Sequence, residues 1–233
     1  MARPSQIYID LAALVANYRL ACLLAPKAKT MAIIKANAYG HGAINCARSL
    51  QHDAPAFGVA CIEEALQLRQ AGIKQPILLL EGCFTVDELE IVAQHQFCLM
   101  VENPLQVDMM CNVALTTPLQ TLVKIDTGMH RLGLNPTQVP SLYQRLLQSG
   151  NVASPITFAT HFASADEINN DFTQQQVRCF QQAVKPFNSP TSLANSAAIL
   201  AWPAAHAEWN RAGFMLYGAS PLTHPTSACR QLQ

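Results

Sequence analysis

Short apolar runs alternate along the chain with longer segments whose apolar positions recur every three or four residues, and polar breaks marked by glycine or proline separate them. A short apolar run closed by turn residues reads as a buried parallel strand, and the longer recurrence reads as a crossover helix. The pattern predicts a helix capped by Asp10 and running to Leu20, strands at 31–35, 56–60, 76–80, 97–101 and 119–125, and helices at 44–50, 62–71, 86–95, 104–113 and 139–148. Ala65, Leu66 and Leu68 suit one buried helix face, Asp87 and Glu88 suit the positive end of a helix dipole, Pro104 suits a first helical position, and Gly150 suits a C-terminal cap. A strand at 156–161, a helix at 172–184 and strand-like pieces at 192–195 and 214–217 bring the count to about eight β/α units. The expected architecture is α/β, a (β/α)8 TIM-type barrel over 1–221 followed by an atypical tail, 222–233. A doubly wound open sheet is the alternative, because periodicity does not reveal closure.

Composition narrows the function. The 233 residues are half hydrophobic and only 13% charged, enough to bury one large core. Fifteen basic and fifteen acidic residues cancel, which removes the electrostatic case for nucleic acid or an anionic membrane and favours a small-molecule partner. Cys22, Cys46, Cys61, Cys83, Cys98, Cys111, Cys179 and Cys229 are scattered singly, as expected of reduced thiols in a cytoplasmic protein. The N-terminus has no continuous apolar stretch, and Asn17, Tyr18 and Arg19 interrupt 11–24, so neither a signal peptide nor a membrane span is expected. The histidines show no metal-ligand spacing, and the glycine-rich dinucleotide and P-loop strings are missing, so the expectation is no metal and no nucleotide chemistry.

Candidate chemistry concentrates at the carboxyl ends of predicted strands, where barrels build their sites. Lys35 closes the apolar run Met31-Ala-Ile-Ile and precedes Gly40 and Gly42, a placement suited to a Schiff-base or general-base lysine; a surface lysine snorkelling at a strand end fits the same residues. Lys124, Asp126 and Arg131 follow the fifth strand. Arg131 could clamp a carboxylate, or Asp126 and Arg131 could simply pair and tie down their loop. His161 ends the sixth strand and reads as a hydrogen-bonded structural histidine rather than a proton-transfer group. Asn195 and Ser196 read either as a helix cap or as an anion site, and Gly213 as a tight turn or a point of close phosphate approach.

Taken as strings, these segments carry more. Lys35-Ala-Asn-Ala-Tyr39-Gly-His-Gly42 resembles the pyridoxal-phosphate signature of the alanine racemases, fold-type III pyridoxal-phosphate enzymes. Lys124-Ile-Asp126-Thr-Gly-Met-His-Arg131-Leu-Gly133, Leu193-Ala-Asn195-Ser196 and Arg211-Ala-Gly213-Phe214-Met-Leu-Tyr-Gly218 resemble further motifs of that family in the same order, so the likeness spans 7–221. It implies interconversion of L- and D-alanine with pyridoxal 5'-phosphate, for peptidoglycan precursors or alanine catabolism, in the cytoplasm and in a homodimer. By the resemblance Lys35 is the catalytic residue and carries the cofactor, Tyr39, Asn195, Ser196, Gly213 and Phe214 serve its phosphate, and Arg211 faces its pyridine nitrogen. Arg131 contacts substrate carboxylate, Lys124, carbamylated in some relatives, orients Arg131, and His161 supports a neighbouring arginine. The family's opposite-face tyrosine belongs to a C-terminal β domain, and 222–233 does not read as that domain's usual opening, so this chain is expected to bind cofactor but to be incomplete for turnover. A single-domain cofactor-homeostasis protein and a cofactor-free Schiff-base aldolase are the rivals.

Overall fold

Eight parallel strands among the described residues close into a barrel in chain order, with β8 returning to β1, which decides against the open sheet. The structure is a computed structural model and describes residues 6–233; the first five positions of the segment read as lacking a signal peptide lie outside it. The strands are β1 (Lys29–Ile33), β2 (Phe57–Val59), β3 (Ile77–Leu79), β4 (Cys98–Val101), β5 (Leu119–Lys124), β6 (Val152–Ala159), β7 (Thr191–Ser192) and β8 (Trp209–Ala212). Around them run α1 (Leu11–Leu24), α3 (Ala43–Leu50), α4 (Ile62–Gln70), α5 (Val86–His95), α6 (Pro104–Asn112), α7 (Val139–Gln148), α8 (Phe172–Val184) and α9 (Ser196–Ala201), with α2 (Lys35–Tyr39) a single unusual turn at the barrel mouth.

Local chemistry sets the helix starts. The Asp10 carboxylate accepts from the N–H groups of Ala12 and Ala13 at 2.9 and 3.0 Å, satisfying donors that the first turn leaves open. The helix it opens runs to Leu24, four residues past the expected end, because Leu14, Tyr18 and Ala21 keep one face buried. The Tyr18 hydroxyl donates to the Thr30 carbonyl at 2.7 Å and ties that face to β1.

Strand alternation builds two cores. Met31, Ile33, Leu78, Met100 and Ala159 form a cluster filling the barrel, while Phe57, Ile77, Leu79 and Val123 face outward onto helix residues such as Leu50, Leu68 and Leu146. Inside the barrel Gly58 is needed for close approach: a Cβ there would sit 2.5 Å from Ile33 Cδ1 and 3.2 Å from Met31 Sδ.

The first strand ends at Ile33, before the expected Lys35, and 214–217 is a 3₁₀ turn, the eighth strand lying upstream at Trp209–Ala212. Four apolar residues cannot distinguish a buried strand from a buried turn by period alone, and here Met215 and Leu216 are buried by packing rather than pairing. Of the piece expected at 192–195 only Ser192 belongs to the sheet, in the two-residue strand Thr191–Ser192, since Asn195 leaves it to cap α9. The barrel is therefore thin at β7, which shares two register positions with β6 and one with β8.

Residues 222–233 fold back over α1. Leu222 and Cys229 are buried, and Asn17 donates to the carbonyls of Leu216 and Gln233 while accepting from the Gln233 N–H at 2.8 Å. All eight cysteines are free thiols. No helix among the described residues is long and apolar enough to cross a membrane.

Candidate active site

A cavity of about 560 Å³ opens at the carboxyl end of the barrel and is lined by Lys35, Tyr39, Lys124, Arg131, His161, Asn195, Ser196, Arg211, Gly213 and Phe214, so the candidate site residues of the sequence, Asp126 apart, line one hollow. No group of three or more potential metal ligands occurs among the described residues.

Lys35 enters this cavity from a strained turn. Ala36, Asn37 and Ala38 all hold left-handed φ/ψ near 50°, 50°, and Tyr39 follows with φ 51°. Left-handed backbone costs an L-residue roughly 1–2 kcal/mol, so four in succession store about 4–8 kcal/mol that surrounding contacts must offset. Several contacts do so. The Glu64 carboxylate accepts from the Ala36 N–H at 2.6 Å and the Ala60 N–H at 2.8 Å, and Asn37 Oδ1 accepts from the Ala43 N–H at 2.9 Å. Tyr217 donates to the Ile33 carbonyl at 3.0 Å and packs its ring against Tyr39 and His41 at 5.0 and 4.6 Å between centroids.

The turn aims Tyr39 across the mouth at Gly213, where an added Cβ would meet the Tyr39 hydroxyl at 3.2 Å. Gly213 thus leaves room for the Tyr39 hydroxyl, and its N–H is engaged, donating to Ser196 Oγ at 2.9 Å, with the Met215 N–H donating to the same oxygen at 3.2 Å. With both bonds arriving at the oxygen, the Ser196 hydroxyl proton is left to point elsewhere. Asn195 takes its capping role, accepting from the Ala198 N–H at 3.0 Å. Burial pushes the Tyr39 phenol above its ordinary range, so it stays a hydrogen-bond donor at neutral pH.

Arg211, paired in register with Met31, points into the barrel and is nearly inaccessible. Nη1 donates to the Ser192 carbonyl and hydroxyl at 2.8 and 2.6 Å, and Nη2 donates to the carbonyls of Thr160 and Leu193 at 2.6 and 3.1 Å. Nε–H has no hydrogen-bond partner among the described residues. Burial lowers the guanidinium to about 10, still charged at neutral pH.

The loop after β5 settles the ambiguity of Asp126. Burial would raise its carboxyl, but the N–H groups of His130 and Gly128 and the His130 ring at 3.0 Å hold it below the usual range. Asp126 therefore ties the loop through His130, not Arg131, and Arg131 faces the cavity. Lys124, expected to orient Arg131, pairs with buried Glu102 at 3.5 Å. Desolvation lowers Lys124 and raises Glu102, and the nearby Arg131 also disfavours the charged lysine. Glu102 Oε2 has no hydrogen-bond partner.

His161, half-buried, is driven down to about 3 by desolvation first and then by the positive field of Arg211, Lys124, Arg131 and Lys35. It is neutral at physiological pH, and among the described residues its ring makes no hydrogen bond to Arg211. Its backbone carbonyl accepts from Gln176, which also reaches Thr127 and the Ala163 N–H and so knits together the loops after β5 and β6.

Sequence reasoning missed both glutamates. Glu102 was findable, since it follows the fourth strand at its carboxyl end, whereas Glu64 sits inside an ordinary helix and is visible only through its contacts.

The donor set fits a molecule with a phosphate at one end and an aldehyde and ring nitrogen at the other: a hydroxyl pair with close backbone approach at Ser196, Tyr39 and Gly213, an amine at Lys35, and an unpartnered Nε–H on Arg211. The family model described as alanine racemase, N-terminal domain, matches residues 9–221. The catabolic alanine racemase of Pseudomonas putida is 48% identical over 99% of this chain, and the alanine racemase of Xanthomonas axonopodis is 46% identical over 99%. The chain spans 64% and 63% of their lengths. The crystal structure of the biosynthetic alanine racemase from Pseudomonas aeruginosa superposes with TM-score 0.92 at 40% identity, covering 97% of this chain and 63% of that one. The alanine racemase from Bartonella henselae with covalently bound pyridoxal phosphate superposes with TM-score 0.82 at 28% identity, covering 97% and 63%.

Proposed function

We propose, from the premise that this chain belongs to the alanine racemase family through its N-terminal domain, that its barrel binds pyridoxal 5'-phosphate and serves the interconversion of L- and D-alanine. The observation that supports this most directly is the convergence of Lys35, Arg131, Arg211, Ser196 and Tyr39 on one cavity at the barrel mouth. When bound, the cofactor supplies an electron-withdrawing ring that spreads negative charge developing at the substrate's α-carbon.

The chain's own residues then divide the work. Lys35 Nζ would be the amine that holds the cofactor, and the same nitrogen would move the α-proton on one face of the substrate. Arg131 binds the substrate carboxylate. The Ser196 and Tyr39 hydroxyls and the Phe214 N–H bind the phosphate, Gly213 allows its close approach, and Asn195 fixes the start of α9 beside it. Arg211 Nε–H would face the cofactor's ring nitrogen and, staying charged, would disfavour a proton there, which would limit the lifetime of negative charge on the substrate and so its side reactions. His161 stays neutral, and Lys124 with Glu102 sets the field beneath Arg131. Inversion needs a second acid–base group on the opposite face. The resemblance assigns that group to a tyrosine of a C-terminal β domain in a homodimer. The setting we propose is the cytoplasm, where eight free thiols stay reduced.

The test is reconstitution of the purified chain with pyridoxal 5'-phosphate. A visible absorbance band that borohydride bleaches, with the reduced adduct mapped to Lys35 and absent in Lys35→Ala, supports the reading; no adduct, or one elsewhere, overturns it. A D-alanine assay on the same preparation separates binding from turnover.

A further inference from the structure

Glu64 lies on α4, one helix away from the cavity, yet each oxygen of its carboxylate is committed to a different backbone amide: Oε1 to the N–H of Ala36, the residue after Lys35, and Oε2 to the N–H of Ala60, just past β2. Ala36 is also the first of the four consecutive left-handed residues, so the bond sits where the chain leaves its ordinary conformation. Relaxation of this turn toward a right-handed one would rotate the backbone on the carboxyl side of Lys35 and swing Tyr39 away from Gly213. The 2.6 Å bond to Ala36 N–H fixes one end of the turn and the Asn37 bond to Ala43 N–H fixes the other. Glu64 links the turn to the neighbouring strand end.

We propose that Glu64 is a positioning residue of this site, bracing the left-handed turn against the end of β2 so that the Lys35 amine and the Tyr39 hydroxyl are presented to the cofactor together. The inference rests on the reading of Lys35 as the cofactor's attachment point. A carboxylate is suited to this task because both of its oxygens accept; the amide of a Glu64→Gln variant has one acceptor and would turn an NH₂ toward the second N–H, leaving a donor facing a donor.

The experiment compares wild type with Glu64→Gln and Glu64→Asp, the latter too short to span both amides, by three measurements: equilibrium titration with pyridoxal 5'-phosphate followed by its visible band, amide hydrogen exchange at Ala36 and Ala60 in the unliganded chain, and the unliganded melting temperature. We expect both variants to bind the cofactor about tenfold or more weakly, equivalent to about 1.4 kcal/mol per tenfold, with faster exchange at Ala36 and a barely altered melt. Affinity within about twofold of wild type, or unchanged exchange at Ala36, overturns the proposal. A loss of affinity matched by an equal loss of global stability also overturns it, since that is what a merely structural residue would give. If wild type itself forms no band at Lys35, the functional reading fails, and exchange at Ala36 still decides whether Glu64 braces the turn.

Discussion

Replacing Ser196 with alanine tests, without any ligand, the end of the site proposed to take the phosphate. The hydroxyl oxygen accepts from two backbone N–H groups, Gly213 at 2.9 Å and Met215 at 3.2 Å, and all three residues lie on segments packed against β8. Removing it orphans both donors, and a buried N–H without a partner costs roughly 1–3 kcal/mol. Two such groups set a range of about 2–6 kcal/mol; the cavity admits water on one side, so the lower part, about 2–4 kcal/mol, is expected. A chain of this size loses about 2–4 °C of melting temperature per kcal/mol, which predicts a fall of about 4–16 °C. Thermal unfolding of the unliganded Ser196→Ala chain, monitored by circular dichroism, measures this directly. A melting temperature within about 2 °C of wild type would refute the reasoning, because it would mean that the serine is not what satisfies these amides.

Other perturbations follow from the same geometry. Tyr39→Phe keeps the ring contact with Tyr217 but loses the hydroxyl, so affinity for pyridoxal 5'-phosphate should fall about tenfold in an absorbance titration while the unliganded melt stays put. Arg211→Lys leaves several of the acceptors on Ser192, Leu193 and Thr160 unpartnered and should cost roughly 3–5 kcal/mol in urea unfolding, conserved charge notwithstanding. For His161, the folded value near 3 lies below the unfolded value near 6.5, so its stabilising contribution is complete above about pH 6.5 and is lost as pH falls from there toward 3. In that window His161→Gln should flatten the decline in unfolding free energy by about 1.4 kcal/mol per pH unit, and coincident slopes for variant and wild type would count against the burial of a neutral ring.

Much of this was legible in the residues. Helices Val86–His95, Val139–Gln148 and Phe172–Val184 fall where the periodicity puts them, since each has a long amphipathic register and a marked start or stop. The ends of α1 and β1 moved by a few residues, and the largest departures fall on very short pieces, where two to four residues carry no period: β7, and the 3₁₀ turn after Gly213. The cavity residues were legible because barrel sites gather at strand ends. The left-handed course of 36–39 was not, because Ala36, Asn37, Ala38 and Tyr39 have no local reason to prefer it; tertiary contacts from Glu64, Ala43 and Tyr217 impose it. The partner of Lys124 escaped for the same reason, since an ion pair between residues at the ends of neighbouring strands leaves no mark on local sequence.

Arg211 meets the barrel where its ladder is thinnest. From β8 its two terminal nitrogens reach Ser192 and Leu193 at the end of β7 and Thr160 just past β6, bridging three staves that share only three register positions among them. The group proposed to govern the electronics of the ring is thus also the rivet of the cylinder. An attempt to redirect the chemistry by exchanging this side chain for a carboxylate would unfasten the vessel before the altered reaction could be observed, so any such redesign has first to stitch β6, β7 and β8 together by other means.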